Sequence, residues 1–428
     1  MVDQSQSRIP TWLIAIDIGK KAHAVLIEDP EGKRQHFTMA NSAEDYDRLV
    51  GLLRALPGPA RIALEPTGDF HRTLAHRLLR EGFPVVSVSS VAGARYREAM
   101  FNSWDKNDPK DATVILHLLK QGLVQHYHDP LLAGDHDLQE LAKTYHQLVL
   151  ARKRLADSLL NHYLPLYFPE MGRYWESTRV EWFVDFLDRF PTPAAVRALP
   201  REEFIQKAWA VAGRKVNKRA KLDELYELAA RSIALPVAVE SLAIETFRLQ
   251  LGQLRRLAAL RQALEARAHA VLKDRVDFQQ LCSLPGVASV LAMVILAEGG
   301  DLRRFRHHRQ FLKYCGLDLA KCQSGQFRGR EQLSKRGNAR LRMAFWMAAQ
   351  RAVRMTENSF RDKYERYVKP DPTNPDVRRK ALTAVAAKMA RVAYALVKRQ
   401  EPYRGYHEHA LPSGSIPLKR AVGALATP

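Results

Sequence analysis

Leu13, Ile14, Ala15 and Ile16 form an apolar run that climbs into a single acid, Asp17, and breaks at Gly19-Lys20-Lys21. A short, β-branched stretch bounded by turn chemistry reads as a buried strand. Two more strand patterns follow closely: Ala22 to Ile27, and Arg34 to Met39 after the turn Asp29-Pro30-Glu31-Gly32. Such close spacing predicts an antiparallel meander. Asn41-Ser42-Ala43-Glu44 then opens a helix with capping-box chemistry. From there strands and helices alternate. The pattern predicts a strand from Arg61 to Glu65, a helix from Gly68 to Arg80, a strand from Pro84 to Val88, a helix around Val91 to Met100, and a helix from Pro109 to about Gly122.

Three meander strands followed by alternating α and β describe an RNase H-like α/β fold. In that topology the ends of the first and fourth strands lie side by side, which brings Asp17 and Glu65 together. A carboxylate at the heart of a buried strand needs a partner, and a divalent metal is one. Asp108 and Asp111 lie three apart, so both project from one face of a first helical turn. Capping explains these two equally well. Asp108 suits the N-cap, Pro109 the first helical position, and Asp111 the positive end of the helix dipole. A capping carboxylate keeps lone pairs for a metal, so both readings stand.

Further along the pattern is helical. One period runs from Asp137 to about Leu164 through Leu138, Leu141, Tyr145, Leu148, Leu155 and Leu159. Another runs from Val239 to Leu272, with an arginine-rich face at Arg248, Arg255, Arg256, Arg261 and Arg267. Two long amphipathic helices that bracket an insertion predict a coiled-coil arm. The block between them, about 171–235, reads as a small helical insert. Its Trp175, Trp182, Phe183, Phe186 and Trp209 read as core rather than as stacking platforms for bases. The rest predicts a mainly α domain, with helices from Asn338 to Val353 and Lys380 to Lys398. The expected divisions are therefore 1–130, 131–276, 277–400 and a loose basic tail, 401–428.

Charge narrows the partner. Lys plus Arg number 67 against 46 Asp plus Glu, a formal net charge of +21. That excess points to a polyanion, most often nucleic acid. It is concentrated at residues 301–340, where eleven Lys or Arg face three acids. Within this stretch lies Gln323-Ser324-Gly325-Gln326-Phe327-Arg328-Gly329-Arg330. A serine beside glycine among arginines suits attack on a phosphodiester, a phosphate-binding loop without a covalent role, or a plain turn. Upstream, Leu284-Pro285-Gly286-Val287 is either a phosphate-gripping hairpin between helices or an ordinary helix–helix turn. Three cysteines, Cys282, Cys315 and Cys322, fit neither a zinc pattern nor a disulfide framework, which suggests a reducing cytoplasm. The polar start, Met1 to Arg8, lacks the apolar core of a signal peptide, and no apolar stretch of about 18 residues predicts a membrane span.

Several motifs, taken in order, resemble one family. Ala15-Ile16-Asp17-Ile18-Gly19-Lys20, Leu64-Glu65-Pro66-Thr67-Gly68 and Asn107-Asp108-Pro109-Lys110-Asp111-Ala112 occupy the first part of the chain. Leu284-Pro285-Gly286-Val287, Phe311-Leu312-Lys313-Tyr314-Cys315-Gly316-Leu317, Gln323-Ser324-Gly325 and Ser334-Lys335-Arg336-Gly337-Asn338-Ala339-Arg340-Leu341-Arg342 occupy the last. Together they resemble the DEDD-type insertion-sequence transposases, or bridge recombinases, whose N-terminal domain is RuvC-like and whose C-terminal domain carries a serine. The resemblance implies a site-specific DNA recombinase, bacterial and associated with the nucleoid when bound to DNA. It implies an acidic tetrad of Asp17, Glu65, Asp108 and Asp111 holding Mg²⁺ or Mn²⁺, with Ser324 as nucleophile. Arg328, Arg330, Lys335, Arg336 and Gly286 are the candidates for nucleic-acid contact. The implied partners are donor and target double-stranded DNA, a structured non-coding guide RNA, and further copies of the chain, as dimers assembling to tetramers. A resolvase-type metal nuclease or a DNA invertase of the same fold, without RNA guidance, is the alternative. Asp318-Leu319 departs from the family pattern, which commonly has a proline after Gly-Leu.

Overall fold

The computed structural model describes residues 11–101, 108–175, 180–212, 217–320, 323–324, 327–329, 331–356 and 358–405. The chain folds as two compact units, Met1–His136 and Asp137–Pro428.

The first unit is built on a six-stranded sheet. Its elements are β1 (Trp12–Ile18), β2 (Ala22–Glu28), β3 (Arg34–Ala40), α1 (Ala43–Arg54), β4 (Ala60–Glu65), α2 (Arg72–Arg80), β5 (Val85–Ser87), α3 (Ser90–Phe101), α4 (Asp108–Lys120) and β6 (Gln125–His126). The strand order is β3-β2-β1-β4-β5-β6. β1, β2 and β3 pair antiparallel, β1, β4 and β5 pair parallel, and β6 closes the edge antiparallel. This is the RNase H-like arrangement expected from the sequence.

Alternation along the central strands decides which helix covers which face. Ile14, Ile16 and Ile18 pack with Ile62 and Leu64 against α1 and α2. The centre of the opposite face carries Ala15, Ala24, Leu26 and Ala63, and α4 lies against it through Ala112, Ile115, Leu116 and Leu119. Small side chains at the centre of that face let a helix approach closely. Ser42 Oγ caps α1 by accepting from the Asp45 N–H, and Asp45 Oδ2 accepts from the Ala40 N–H, two residues before the cap. The reaching acid is Asp45, three residues after the serine. The helix expected from Gly68 begins later, at Arg72, because Thr67 and Asp69 carbonyls are first taken up by tight turns to Phe70 and Arg72.

The second unit is helical with short hairpins. In order it comprises α5 (His136–Ser158), α6 (Leu164–Tyr167), α7 (Val180–Arg189), α8 (Pro193–Arg197), α9 (Arg201–Trp209), α10 (Lys218–Ala230), α11 (Leu242–Leu272), α12 (Val276–Cys282), α13 (Ser289–Gly299) and α14 (His308–Cys315). Then come β7 (Leu319–Ala320), β8 (Gln323–Ser324), β9 (Phe327–Arg328), β10 (Gln332–Leu333), α15 (Ala339–Ala352), α16 (Ser359–Val368) and α17 (Pro375–Arg399). The first long helix does not run unbroken to Leu164. It passes through a π-helical turn at Leu159–Tyr163 before α6. Pro165 explains this: it has no N–H to donate back and its ring clashes with the preceding turn.

Two separate cores share α5 and α11. Leu155 and Leu159 join Ile244, Phe247, Leu251 and Leu254 in the core of the insert. Leu138 and Ala142 join Ala268 and Leu272 in the core of α12 to α17. The two helices are therefore antiparallel and anchored at both ends. Between the anchors neither buries a side chain fully, and Val149, Leu150 and Leu260 are exposed. Tyr145 Oη donates to Glu265 Oε1 across this span at 2.9 Å. In the insert Phe183 and Phe186 are fully buried, and Trp175 and Trp182 pack on the same core. Trp209 differs from expectation: it ends α9 at the surface, 47% exposed, with Lys218 Nζ 5.3 Å from its ring. A cation over an indole face offsets part of the cost of that exposure.

Gly286 shows how tightly the C-terminal core closes. Its φ is +85°, and a Cβ there would stand 2.3 Å from Ala348 O and 2.7 Å from Ala352 N, both backbone atoms of α15. Gly286→Ala is expected to destabilise the protein by about 3 kcal/mol, from left-handed strain and overpacking together. Urea denaturation measures it, and an unchanged midpoint would contradict the close packing.

Candidate active site

The register of β1 on β4 pairs Asp17 directly with Glu65. Parallel neighbours in register point their side chains the same way, so both carboxylates stand on the Ala15/Ala63 face, which α4 covers. Both are partly buried. Asp111 lies in the first turn of α4, one residue before Ala112, and is 2% exposed. Asp108 is the first residue of α4, and its side chain lies outside the described residues.

α3 reaches this acidic face by two residues one turn apart. A Cβ on Gly93 would stand 3.1 Å from Glu65 Oε2, so the helix backbone passes close beside that carboxylate. Four residues on, Arg97 Nε approaches Asp111 Oδ1 at 2.5 Å, with side-chain exposures of 15% and 1%. The contact is ionic rather than a well-directed hydrogen bond, since among the described residues neither oxygen of Asp111 nor the Arg97 Nε has a hydrogen-bond partner. Positions i and i+4 share a helix face. One face of α3 therefore meets both acids.

The donors are carboxylate oxygens, which suit a hard divalent cation. Buried Asp111 oxygens that meet no hydrogen-bond donor among the described residues fit such an ion, as does the Asp17–Glu65 pair, whose like charges repel unless compensated. Among the described residues no three acidic, His or Cys side chains form a metal-ligating group. Arg97 supplies the positive charge that Asp111 needs. Sequence reasoning missed Gly93 and Arg97. Their only signal is a glycine and an arginine four apart on a helix.

In the second unit β8 and β9 form a tight antiparallel hairpin, with Ser324 opposite Phe327 and Gln323 opposite Arg328. The side chains of Ser324 and Arg328, and the whole of Arg330, lie outside the described residues. Lys335 and Arg336 are exposed on the loop that follows β10. That loop is held firmly. The Lys335 carbonyl accepts from Arg342 Nη1 at 3.2 Å, the Asn338 N–H donates to Tyr314 O at 2.7 Å, and Asn338 Nδ2 donates to Glu298 Oε2 at 2.6 Å. Gly337, at φ +155°, leaves no room for a Cβ, which would fall 2.5 Å from Tyr314 O. Asp318 also has a task here: its carboxylate accepts from Ser334 Oγ and its carbonyl from the Ser334 N–H. Gly286 turns its α-carbon towards α15.

Arg97→Gln leaves Asp111 buried without its counter-charge. The expected loss is about 3 kcal/mol in the metal-free protein. Thermal unfolding with and without added Mg²⁺ checks this. A melting temperature unchanged in the absence of metal would contradict the assigned role of the pair.

Comparison with known proteins places this geometry. Residues 14–169 match the family profile of DEDD transposases of the IS110 group, described as Transposase, and residues 278–365 match the profile described as Transposase IS116/IS110/IS902 family. The IS117 mini-circle protein of Streptomyces coelicolor is 27% identical over 325 residues, covering 72% of this chain and 76% of that one. The transposase for insertion sequence element IS1111A of Coxiella burnetii is 34% identical over 140 residues, 33% of this chain and 38% of that one. Among solved structures, Thermus thermophilus RuvC in complex with a Holliday junction substrate aligns at 10% identity, over 27% of this chain and 99% of that one, with a TM-score of 0.21. Among the described residues no helix is long and apolar enough to cross a membrane. With a DEDD profile across the acidic sheet and a second transposase profile across the serine hairpin, the chain belongs to the IS116/IS110/IS902 family of insertion-sequence transposases.

Proposed function

We propose that this transposase cuts and rejoins DNA through Ser324, with Asp17, Glu65, Asp108 and Asp111 holding Mg²⁺ or Mn²⁺. The observation that carries the reading is the in-register pairing of Asp17 with Glu65 on adjacent parallel strands. When bound, the cation supplies charge to the scissile phosphate and to its attacking and leaving oxygens. The rest falls to the chain. Ser324 Oγ gives up its proton and bonds to phosphorus. One strand ester bond breaks, and the leaving strand oxygen takes up a proton to become a free hydroxyl. The phosphoserine link conserves an ester bond, so a strand hydroxyl can reverse the step and join DNA. Arg328, Arg330, Lys335, Arg336 and the Gly286 turn are assigned to hold phosphate backbone, with charge balancing the phosphorane in the transition state.

The same reading assigns a structured non-coding RNA as guide, pairing with donor and target double-stranded DNA. Base pairing then reads sequence while protein grips backbone. Its assembly is a homodimer that builds a tetramer, and its divisions are a catalytic domain to about 130, the helical arm with its insert, and a serine domain from about 277.

Ser324→Ala and Asp17→Ala should each reduce strand cleavage by on the order of 10³-fold or more, and Ser324→Ala should abolish the protein–DNA adduct on denaturing gels. Cleavage that survives Ser324→Ala in Mg²⁺ would favour a resolvase-type nuclease. Sequencing of RNA that copurifies with the protein tests guidance. Recovery of no discrete RNA from active protein would remove that part of the reading.

A further inference from the structure

α16, the last turns of α17 and the segment after it line an open cavity of about 600 Å³. Lys363, Lys388, Arg391, Arg399 and Arg404 line it, with Glu401 as the one acid. The segment that borders it is fixed in place. Gln400 caps α17 in the left-handed conformation and turns the chain back. The Tyr403 N–H donates to Ser283 Oγ at 2.8 Å, its ring stacks on Phe360, and its hydroxyl lies 3.0 Å from Ser359 Oγ. Lys388 Nζ donates to both Ser359 O and Ser359 Oγ, which aims a partly buried ammonium along the wall.

The cations neighbour one another, with Glu401 in the lining and Asp362 near Lys388 as acids beside them. Among the described residues none of the five has an ion-pair partner. Burial first, and then Arg391, Lys388 and Arg366, push the Lys363 ammonium below its ordinary value. Burial, and then Arg366, do the same to Lys388, with Asp362 opposing. Like charges held together cost free energy that a bound anion returns. The floor is apolar where Val392, Leu396 and Tyr403 meet it. From Lys388 to Arg399 the row runs along α17 for about 16 Å. One inorganic phosphate cannot span that distance. A nucleic-acid strand presents a phosphate about every 3.4 Å of duplex axis, so several face such a row at once.

We propose that this cavity and its rim form a grip for the phosphodiester backbone of nucleic acid, lined mostly from beyond residue 365, where the family profile ends. The inference rests on the reading above that the chain handles nucleic acid, and deepens it. Arg391 and Arg399 are exposed, so Arg391→Gln with Arg399→Gln removes rim charge without opening a core. Arg256→Gln with Arg267→Gln on exposed positions of α11 is the control of equal net charge.

Fluorescence anisotropy with a random-sequence DNA duplex and with an RNA hairpin, across a NaCl series, separates the outcomes. The rim variant should flatten the slope of log affinity against log salt by about 2 and weaken binding roughly tenfold, while the control keeps the wild-type slope. An effect on one polymer alone supports the site and names its source as DNA or RNA. An effect on both supports a shared backbone grip. Wild-type slopes in the rim variant, or equal losses in the control, overturn the site while leaving the transposase reading intact. Failure of the wild-type protein to bind either polymer overturns both.

Discussion

Two carboxylates set opposite each other on neighbouring parallel strands repel, and much of the first unit can be read as an answer to that repulsion. Asp17 and Glu65 cannot move apart, because the β1–β4 ladder fixes their register and the isoleucines on the reverse face fix that ladder. A one-residue slip would bury Asp17 under α1 and α2 and expose the isoleucines to the α4 face. Hydrophobic sorting therefore holds the charges together. α4 brings a third carboxylate, Asp111, and α3 brings the guanidinium that balances it. Among the described residues, the fold sets the Arg97 guanidinium against the buried Asp111 carboxylate at this edge of its core.

The sheet was legible because its strands are short, β-branched and separated by Gly, Pro and Asp turns. The register itself followed from topology. What sequence could not show is tertiary. Gly93 and Arg97 have meaning only because α3 crosses beside Glu65 and Asp111, and nothing local in residues 90–101 says which neighbours that helix will find. Gly286 and Gly337 stood in recognisable motifs, yet their tasks, admitting α15 and the end of α14, depend on contacts from elsewhere in the chain. Trp209 was expected in the core by composition and lies at the surface, since the end of α9 points its last turn outward.

The second unit packs two aromatic and aliphatic cores and carries Lys335 and Arg336 on a loop outside them. The loop carrying Lys335 and Arg336 has little apolar content of its own. Backbone bonds to Tyr314 and to the Arg342 guanidinium, and the Asn338 side chain donating to the Glu298 carboxylate, hold it. Exposed cations on a well-fixed loop lose less entropy when they meet a phosphate than cations on a free one. The departure at Asp318 fits this scheme, because it ties Ser334 to the far side of the same loop.

The bare middle of α5 and α11 carries a consequence for how this chain can change over evolutionary time. Each helix is rooted in one core at one end and the other core at the opposite end. A residue gained or lost within α11 alone would rotate one root by about 100° against the other and shift it by about 1.5 Å. Compensating changes must therefore arise in both helices together. The exposed side chains along that span are free to drift, whereas its length in residues is locked.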